Sequence, residues 1–512
     1  MAVQQGRFFD QIRSFAAMRA NLAVAEQVRR LGVIDVGSNS VRLVVFDGAA
    51  RSPAYFYNEK VLCGLGAGLR ESGRLNPEGW ERARAALRRF TVLAERMSLG
   101  GLSGVATAAV REARDGPAFC EMVLRETGLR LRVLDGAEEA RMAAQGVLLG
   151  WPAAEGLVAD MGGASMELAT VGRGRVLDGL TAPLGPLALR ERESGRSLTR
   201  EIKGELRRLR ERLPDAMETL YLVGGSWRAI ARVDMARRSY PLSVLHDYVM
   251  QPEDALETAK WITTEEPEAL RELTGSSLAR LSLAPLAAQV LIPLIEDFTP
   301  AAIRVSSYGL REGLLYEAMP EALRRRDPLI EAASQMERAM ARFPGFGLAL
   351  DRWLAPLYAD AEPRLARLVT AACLLHDVNW RAHPDYRAEI CFETVTRANL
   401  SGLSHQERVF LGLALLHRYK SSKRAQIARD IVALLPEEEV ATAEALGRAL
   451  RLGAMLAGAR IEGLEETRLE RTDDALVLTL MGEARDLAGE VVEKRLAALA
   501  RVHGLSPELR SA

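Results

Sequence analysis

One short pattern occurs twice in this chain. An apolar run, Gly32-Val33-Ile34, leads into Asp35-Val36-Gly37-Ser38-Asn39-Ser40 and continues as Val41-Arg42-Leu43-Val44-Val45-Phe46. A second run, Gly156-Leu157-Val158-Ala159, leads into Asp160-Met161-Gly162-Gly163-Ala164-Ser165 and then Met166-Glu167-Leu168-Ala169-Thr170-Val171. Both read strand, Asp, one residue, Gly, two residues, Ser, strand. Apolar and β-branched flanks around a Gly-rich centre predict a hairpin with a tight connection in each copy. Two copies constrain the chain to a duplicated α/β architecture with two loops facing one cleft.

The intervening segments supply the rest of that architecture. Asn76 can cap a helix that starts at Pro77-Glu78, where Trp80, Leu87, Phe90, Leu93 and Met97 form one apolar stripe. Gly104 to Thr107 and Leu131 to Leu134 read as short strands, and Glu138 to Leu149 as a helix. Leu220 to Val223 runs into the Gly224-Gly225-Ser226 turn, and Ile303 to Ser306 precedes Gly309-Leu310-Arg311-Glu312-Gly313. Strands alternate with helices to about Pro320, with boundary candidates at Arg324 to Pro328, and the remainder is almost wholly helical apart from the β-prone Ala475 to Leu480. The expected division is an extension helix over 1–30, α/β domains over 31–150 and 151–320, and a helical region over 321–512.

Composition narrows the function classes. At 512 residues the chain has room for three or four domains of roughly 150 residues. Lys+Arg and Asp+Glu are both 68, a balance that argues against a nucleic-acid coat or a polybasic membrane binder. The cations are nearly all arginine, which favours forked contacts to oxyanions. Cys63, Cys120, Cys373 and Cys391 have no C-x-x-C spacing, so a disulfide scaffold is not expected and a reducing cytoplasm is. The apolar stretch from Leu281 to Ile295 is interrupted by Ser282, Pro285, Gln289 and Pro293, so no membrane span is expected.

Gly-rich turns direct backbone N–H groups into a concavity that suits phosphate oxygens. Ser38, Ser40 and Ser165 add small donors. Asp35 and Asp160, which open the turns, make sense beside phosphate when a hard divalent cation lies between them. The alternative is a pair of tight hairpins with no ligand.

These residues resemble the exopolyphosphatase and guanosine pentaphosphate phosphohydrolase family of the actin-like ATPase superfamily. Asp35 to Ser40 with Arg42-Leu43 is similar to its first signature, and Ala106-Thr107-Ala108-Ala109 with Arg111 and Ala113 to its second. Gly136 with Glu138 to Arg141, Asp160 to Leu168, Gly224 to Arg228 and Gly309 to Gly313 follow in the family's order. The resemblance implies an α/β fold of two actin-like (ribonuclease H-like) domains, then a mostly helical HD-like domain and a small C-terminal α+β region. It implies hydrolysis of a terminal phosphoryl group with Mg²⁺ or Mn²⁺, on inorganic polyphosphate or on guanosine pentaphosphate. Glu139 would activate the water and Arg111 would assist. Asp35, Gly37, Ser38, Asn39, Ser40, Gly162, Gly163, Ser165, Gly224, Gly225, Ser226 and Arg311 would hold phosphate, and Asp160 and Glu167 the metal. Read without the family, Glu138 and Glu139 are equally first-turn acids favoured by the helix dipole. Arg111 is equally a surface ion-pair residue, and Glu167 a support for the loop. Ala164 replaces a glycine usual in the family, which leaves a nonenzymatic sensor as a rival. An actin-like kinase is a further rival.

Leu374-Leu375-His376-Asp377 carries the dipeptide of HD hydrolases, but no histidine lies between His246 and His376, so a buried polar contact between helices is expected rather than a metal site. Arg418, Lys420, Lys423 and Arg424 concentrate charge in a neutral chain and are expected to line a polyphosphate channel, against the alternative of a solvated helix end. The N-terminal helix and the long helical half suggest a homodimer.

Overall fold

The computed structural model describes residues 30–48, 51–190, 192, 195–213, 218–420 and 429–512. Apart from Arg30, the expected extension helix over 1–30 lies outside the described residues. The chain forms two compact units, the first ending at Arg326 and the second running from Asp327 to Ala512. Residues 321–326 go with the first unit: Arg324, in a short helix over Glu321–Arg324, donates back to the carbonyls of Met319 (3.0 Å) and Glu317 (2.8 Å).

The first unit contains two sheets of one topology. Strands β1 (Leu31–Val36), β2 (Ser40–Phe46), β3 (Tyr55–Leu62), β4 (Gly101–Ala106) and β5 (Leu131–Val133) lie in the order β3-β2-β1-β4-β5. β1 pairs antiparallel with β2 and parallel with β4. In the second sheet β6 (Gly156–Met161), β7 (Met166–Gly172), β8 (Arg175–Ala182), β9 (Thr219–Val223), β10 (Tyr248–Met250) and β11 (Ala302–Val305) lie in the order β10-β11-β9-β6-β7-β8. β6 pairs antiparallel with β7 and parallel with β9, so the senses repeat and β10 is an added antiparallel edge. The central strands β1 and β6 are buried on both faces, and for that reason they read as continuous apolar runs broken only near the aspartate.

Helices α1 (Pro77–Arg96), α2 (Ala108–Glu112), α3 (Gly136–Gly150), α4 (Arg196–Arg210), α5 (Gly225–Arg237), α6 (Ala284–Phe298) and α7 (Leu310–Ala318) pack around these sheets. Asn76 caps α1 by accepting from the Gly79 N–H at 2.8 Å, and the expected stripe is turned inward with Leu87 and Phe90 fully buried. The segment Leu278–Phe298 is long and apolar enough to cross a membrane by length and composition, yet α6 within it packs Ala287, Val290, Leu291 and Leu294 into the core over the second sheet. α3 and α7 cross with their backbones in contact. A methyl on Gly313 would stand 1.7 Å from the Met142 carbonyl oxygen, and one on Gly146 would stand 2.3 Å from the Gly309 carbonyl oxygen. Around this crossing one apolar cluster draws Val33 and Val44 from the first sheet, and Val158 and Val223 from the second. Arg51, 1% exposed, closes the far end of α3 by donating to the Leu149 carbonyl (2.7 Å) and also to the Arg326 carbonyl (2.9 Å).

The second unit is a helical body whose core is built from the helices Phe346–Leu354, Pro363–Leu375, His405–Tyr419 and Glu437–Leu456. Its C-terminal end carries a three-stranded sheet of β12 (Thr467–Arg471), β13 (Ala475–Leu480) and β14 (Ser506–Ser511), with the helix Glu490–Val502 before β14. Only β13 has the β-prone composition that marks a strand in sequence; its two neighbours, TRLER and SPELRS, are charged edge strands.

Gly313→Ala should cost about 3 kcal/mol or more, since the new methyl meets a main-chain carbonyl that no rotamer can move away. The control is Gly204→Ala on the surface of α4, where nothing lies within 4 Å; there the change should be neutral or mildly stabilising. Urea unfolding of both variants measures the difference, and equal midpoints would contradict the packing argument.

Candidate active site

The two repeated hairpins have the same connection. In the β1–β2 loop the Gly37 N–H donates to Ser40 O at 3.0 Å, and in the β6–β7 loop the Gly162 N–H donates to Ser165 O at 3.0 Å. Each loop is held from behind by the segment after the third strand of its sheet: Gly66 N–H donates to Ser38 O, and Leu187 N–H to Gly163 O, both at 2.8 Å. The loops face one another, since a Cβ on Gly163 would stand 3.9 Å from the Ser38 Cβ. Neither Ala164 nor its glycine neighbours adopt the left-handed region, so the methyl of Ala164 carries no backbone strain.

Strand register then separates the two copies chemically. Arg42 sits across from Asp35 on β2, while Glu167 sits across from Asp160 on β7. One wall is cationic and the other acidic. Arg42 donates to Asn58 Oδ1 at 2.7 Å, and Glu167 accepts from the Thr181 hydroxyl at 3.1 Å.

Two helix N-termini open beside Asp160. Gly224, at φ 111°, precedes α5; a side chain there would stand 2.5 Å from Met161 O and 3.0 Å from Asp160 Oδ1, so only glycine fits. Gly225 is exposed, with nothing within 4 Å of where a Cβ would stand, and Ser226 follows at the helix start. Gly309 precedes α7, where Glu312 caps the helix by accepting from the Gly309 N–H (2.8 Å) and from the Tyr55 hydroxyl (2.9 Å). Arg311 pairs with Asp35 at 3.4 Å, and its buried Nε has no hydrogen-bond partner among the described residues. Arg228 is braced on the carbonyls of Ser306 (3.3 Å) and Ser307 (3.0 Å).

The two adjacent acids at the start of α3 have different jobs. Glu138 closes a capping box with Asp135 and pairs with Arg132 at 2.5 Å. Glu139, 8% exposed, instead accepts from Arg111 Nη1 at 2.8 Å, and the same nitrogen donates to the Leu134 carbonyl at 2.8 Å. Arg111 is therefore turned to Glu139. Burial pushes the Glu139 carboxyl up to about 7 against the lowering effect of Arg111, with Asp160 and Asp35 adding to the rise. Burial pushes Asp160 up to about 6, against Arg228 and Arg311. Glu167 lies well above the usual carboxylate range through burial and the nearby charges of Glu139 and Asp160. On the other wall burial and then Arg311 and Arg228 bring Arg42 down to about 10. Among the described residues no three His, Cys, Asp or Glu side chains stand close enough to hold a metal by themselves.

Sequence reasoning did not assign Arg42, Arg228, Glu312 or Tyr55 to the site. The register of the repeat could have found Arg42, since it lies seven residues after Asp35 just as Glu167 lies seven after Asp160. The second unit treats its candidates differently. Arg418 is 6% exposed and stacked over Tyr419 at 4.6 Å, and Lys420 pairs with Glu389, so neither stands free at a surface. Lys423 and Arg424 lie outside the described residues. His376 is buried with Nδ1 2.7 Å from Cys373 O, and Asp377 accepts a fork from Arg342 at 2.8 and 2.6 Å.

The sequence model of the Ppx/GppA phosphatase family matches residues 44–322. The chain belongs to the Ppx/GppA phosphatase family. A second model, described as exopolyphosphatase, C-terminal, matches residues 351–509. An exopolyphosphatase from Cytophaga hutchinsonii is 21% identical with a TM-score of 0.52, over 57% of this chain and 99% of that one. The Ppx/GppA family member of Aquifex aeolicus is 24% identical with a TM-score of 0.50, over 58% of this chain and 99% of that one. The chain is thus a phosphoanhydride hydrolase with the two actin-like domains of its family.

If Glu139 must be ionised to act, kcat/KM at a fixed Mg²⁺ concentration should fall as pH drops below about 7. Arg111→Ala removes the neighbour that lowers the Glu139 carboxyl, so the acid limb should move to higher pH. A limb that stays in place would assign it to another group.

Proposed function

We propose that this chain is an exopolyphosphatase that hydrolyses the terminal phosphate of inorganic polyphosphate. The observation that carries this reading is Glu139, a buried carboxylate with one oxygen fixed by Arg111, set among Asp35, Asp160 and Glu167. Water would attack the terminal phosphorus while Glu139 takes its proton. The bridging P–O bond breaks, and the electron pair leaves with the shortened chain. Backbone N–H groups of the Ser38–Ser40 and Gly162–Ser165 loops, with the N-termini of α5 and α7, would bind the equatorial oxygens. Arg311 and Arg42 would neutralise the phosphates behind the terminal one. The surplus of positive charge on that wall supports a substrate with several successive phosphates.

The donor set also fits a divalent cation. Asp160, with Glu167 across from it, offers hard oxygens; burial raises both carboxyls, and for Glu167 the nearby Glu139 and Asp160 add to the rise. Mg²⁺ is commonly held by one or two carboxylates plus substrate phosphate, so a cluster of three protein ligands is not required. When bound, Mg²⁺ or Mn²⁺ would supply charge neutralisation at the transferred phosphoryl group. The residues proposed to hold it are Asp160 and Glu167.

The deciding experiment is phosphate release with Mg²⁺ from long polyphosphate and from guanosine pentaphosphate, side by side. Faster hydrolysis of the nucleotide would replace the proposed substrate. Glu139→Gln should lower kcat roughly a hundredfold to ten-thousandfold while leaving polyphosphate binding intact; near-normal turnover would make Glu139 a structural acid. Asp160→Asn should raise the Mg²⁺ concentration needed for half-maximal rate, and full activity in excess chelator would remove the metal from the scheme.

A further inference from the structure

Helix α4 concentrates charge in a protein with no net charge. Its sequence, RSLTREIKGELRRLR, holds six cations against two acids. The apolar face, Leu198, Ile202, Leu206 and Leu209, is buried. On another face Arg196, Arg200, Lys203 and Arg207 follow at steps of four, three and four residues, which stacks them along one stripe of roughly 16 Å. Thr199 and Gly204, both small, lie beside the stripe, and with Gly195 and the four cations they line a shallow, open groove along the helix surface.

Among the described residues the stripe is under-neutralised. Lys203 reaches Glu296 at 3.6 Å with half its side chain exposed, a weak surface pair. Arg196, Arg200 and Arg207 make no ion pair with any described carboxylate. The acids of the helix are engaged elsewhere: Glu201 pairs with Arg192, and Glu205 with Arg208. A structural helix face in a neutral protein would alternate sign and satisfy itself at i,i+4. This one leaves its cations on one face and its acids off it.

The stripe is also continuous in chain with the site. Leu187 donates to Gly163 in the second phosphate loop, Arg192 donates to the Pro183 carbonyl and pairs with Glu201, and α4 begins at Arg196. We propose that the groove along α4 is a binding track for the body of a linear polyanion whose end lies in the cleft. The inference rests on the exopolyphosphatase reading and names its occupant by charge: a chain of like charges running along a row of opposite ones. A terminal phosphate alone, or a short oligophosphate, would not engage four cations spread along three turns. The track therefore confers preference for long chains, and its contribution weakens as salt screens it.

The test is the variant Arg196→Ala/Arg200→Ala/Lys203→Ala/Arg207→Ala, in the full chain, since all four positions lie off the buried face of α4. Two measurements are made with wild type and variant: filter binding of long-chain polyphosphate, and kcat/KM on long and short chains at two ionic strengths. The expected result is binding of long chains weakened roughly ten-fold at low salt, converging on wild type at high salt. The ratio of long-chain to short-chain kcat/KM should fall to a similar extent, with kcat on short chains unchanged. Unchanged long-chain binding in a variant with wild-type circular dichroism overturns the track. Loss on long and short chains alike overturns it too, by placing these residues in the cleft's own function. Because binding is read without turnover, a wild type that binds long chains but releases no phosphate from them defeats the exopolyphosphatase reading and leaves the track standing. Greater loss of binding to single-stranded RNA or to anionic vesicles than to polyphosphate would assign the groove to another polyanion and overturn the proposal.

Discussion

The contact on which the first unit depends is a crossing of two helices at backbone distance. Where α3 meets α7 there is no side chain to compress: the Met142 carbonyl lies against the Cα of Gly313, and the Gly309 carbonyl against Gly146. Glu139 lies three residues before Met142, and Arg311 two residues before Gly313. The backbone positions from which the acid and the cation extend are thereby fixed against each other by main chain. Positions needed to a fraction of an ångström are better held by such rigid elements than by long side chains on loops.

Around that crossing, a duplicated scaffold carries unlike chemistry. The hairpins agree to the level of a single hydrogen bond, Gly37 to Ser40 and Gly162 to Ser165. They differ at the residue across from the aspartate, Arg42 in one and Glu167 in the other. The space between them has donors and positive charge on one side and crowded carboxylates on the other. Burial is the first cause of the raised Asp160 and Glu167 carboxyls and of the depressed Arg42, and the nearby acids of the second wall and the nearby arginines of the first add to the Glu167 and Arg42 shifts respectively.

The sheets and loops were legible because buried strands and Gly-rich turns leave strong local patterns, and the repeat fixed how they pair. Glu139 was harder to read: two adjacent glutamates in a first helical turn look alike, and only the structure has Glu138 consumed by the Asp135 capping box and Arg132. Arg228 and Tyr55 were invisible for another reason. Their roles come from contacts with Ser306, Ser307 and Glu312, far along the chain. The charged run at Arg418 reads in sequence as a solvated helix end or a channel wall. Its helix contributes to the core of the second unit, where Arg418 is buried against Tyr419, while Lys423 and Arg424 lie outside the described residues. β12 and β14 carry no apolar alternation since each is an edge of a small sheet.

Arg51 gives the first unit a defined last residue. One guanidinium nitrogen closes the helix that carries Glu139, and another holds the carbonyl of Arg326, the residue at which the unit ends. A fragment cut at Pro320, where the strand-and-helix pattern stops in sequence, would strip an acceptor from a guanidinium that is almost wholly out of water. The penalty would fall at the far end of α3, the helix that carries Glu139. The piece that coincides with the compact unit is therefore the one that keeps residues 321–326, six residues that belong to neither sheet.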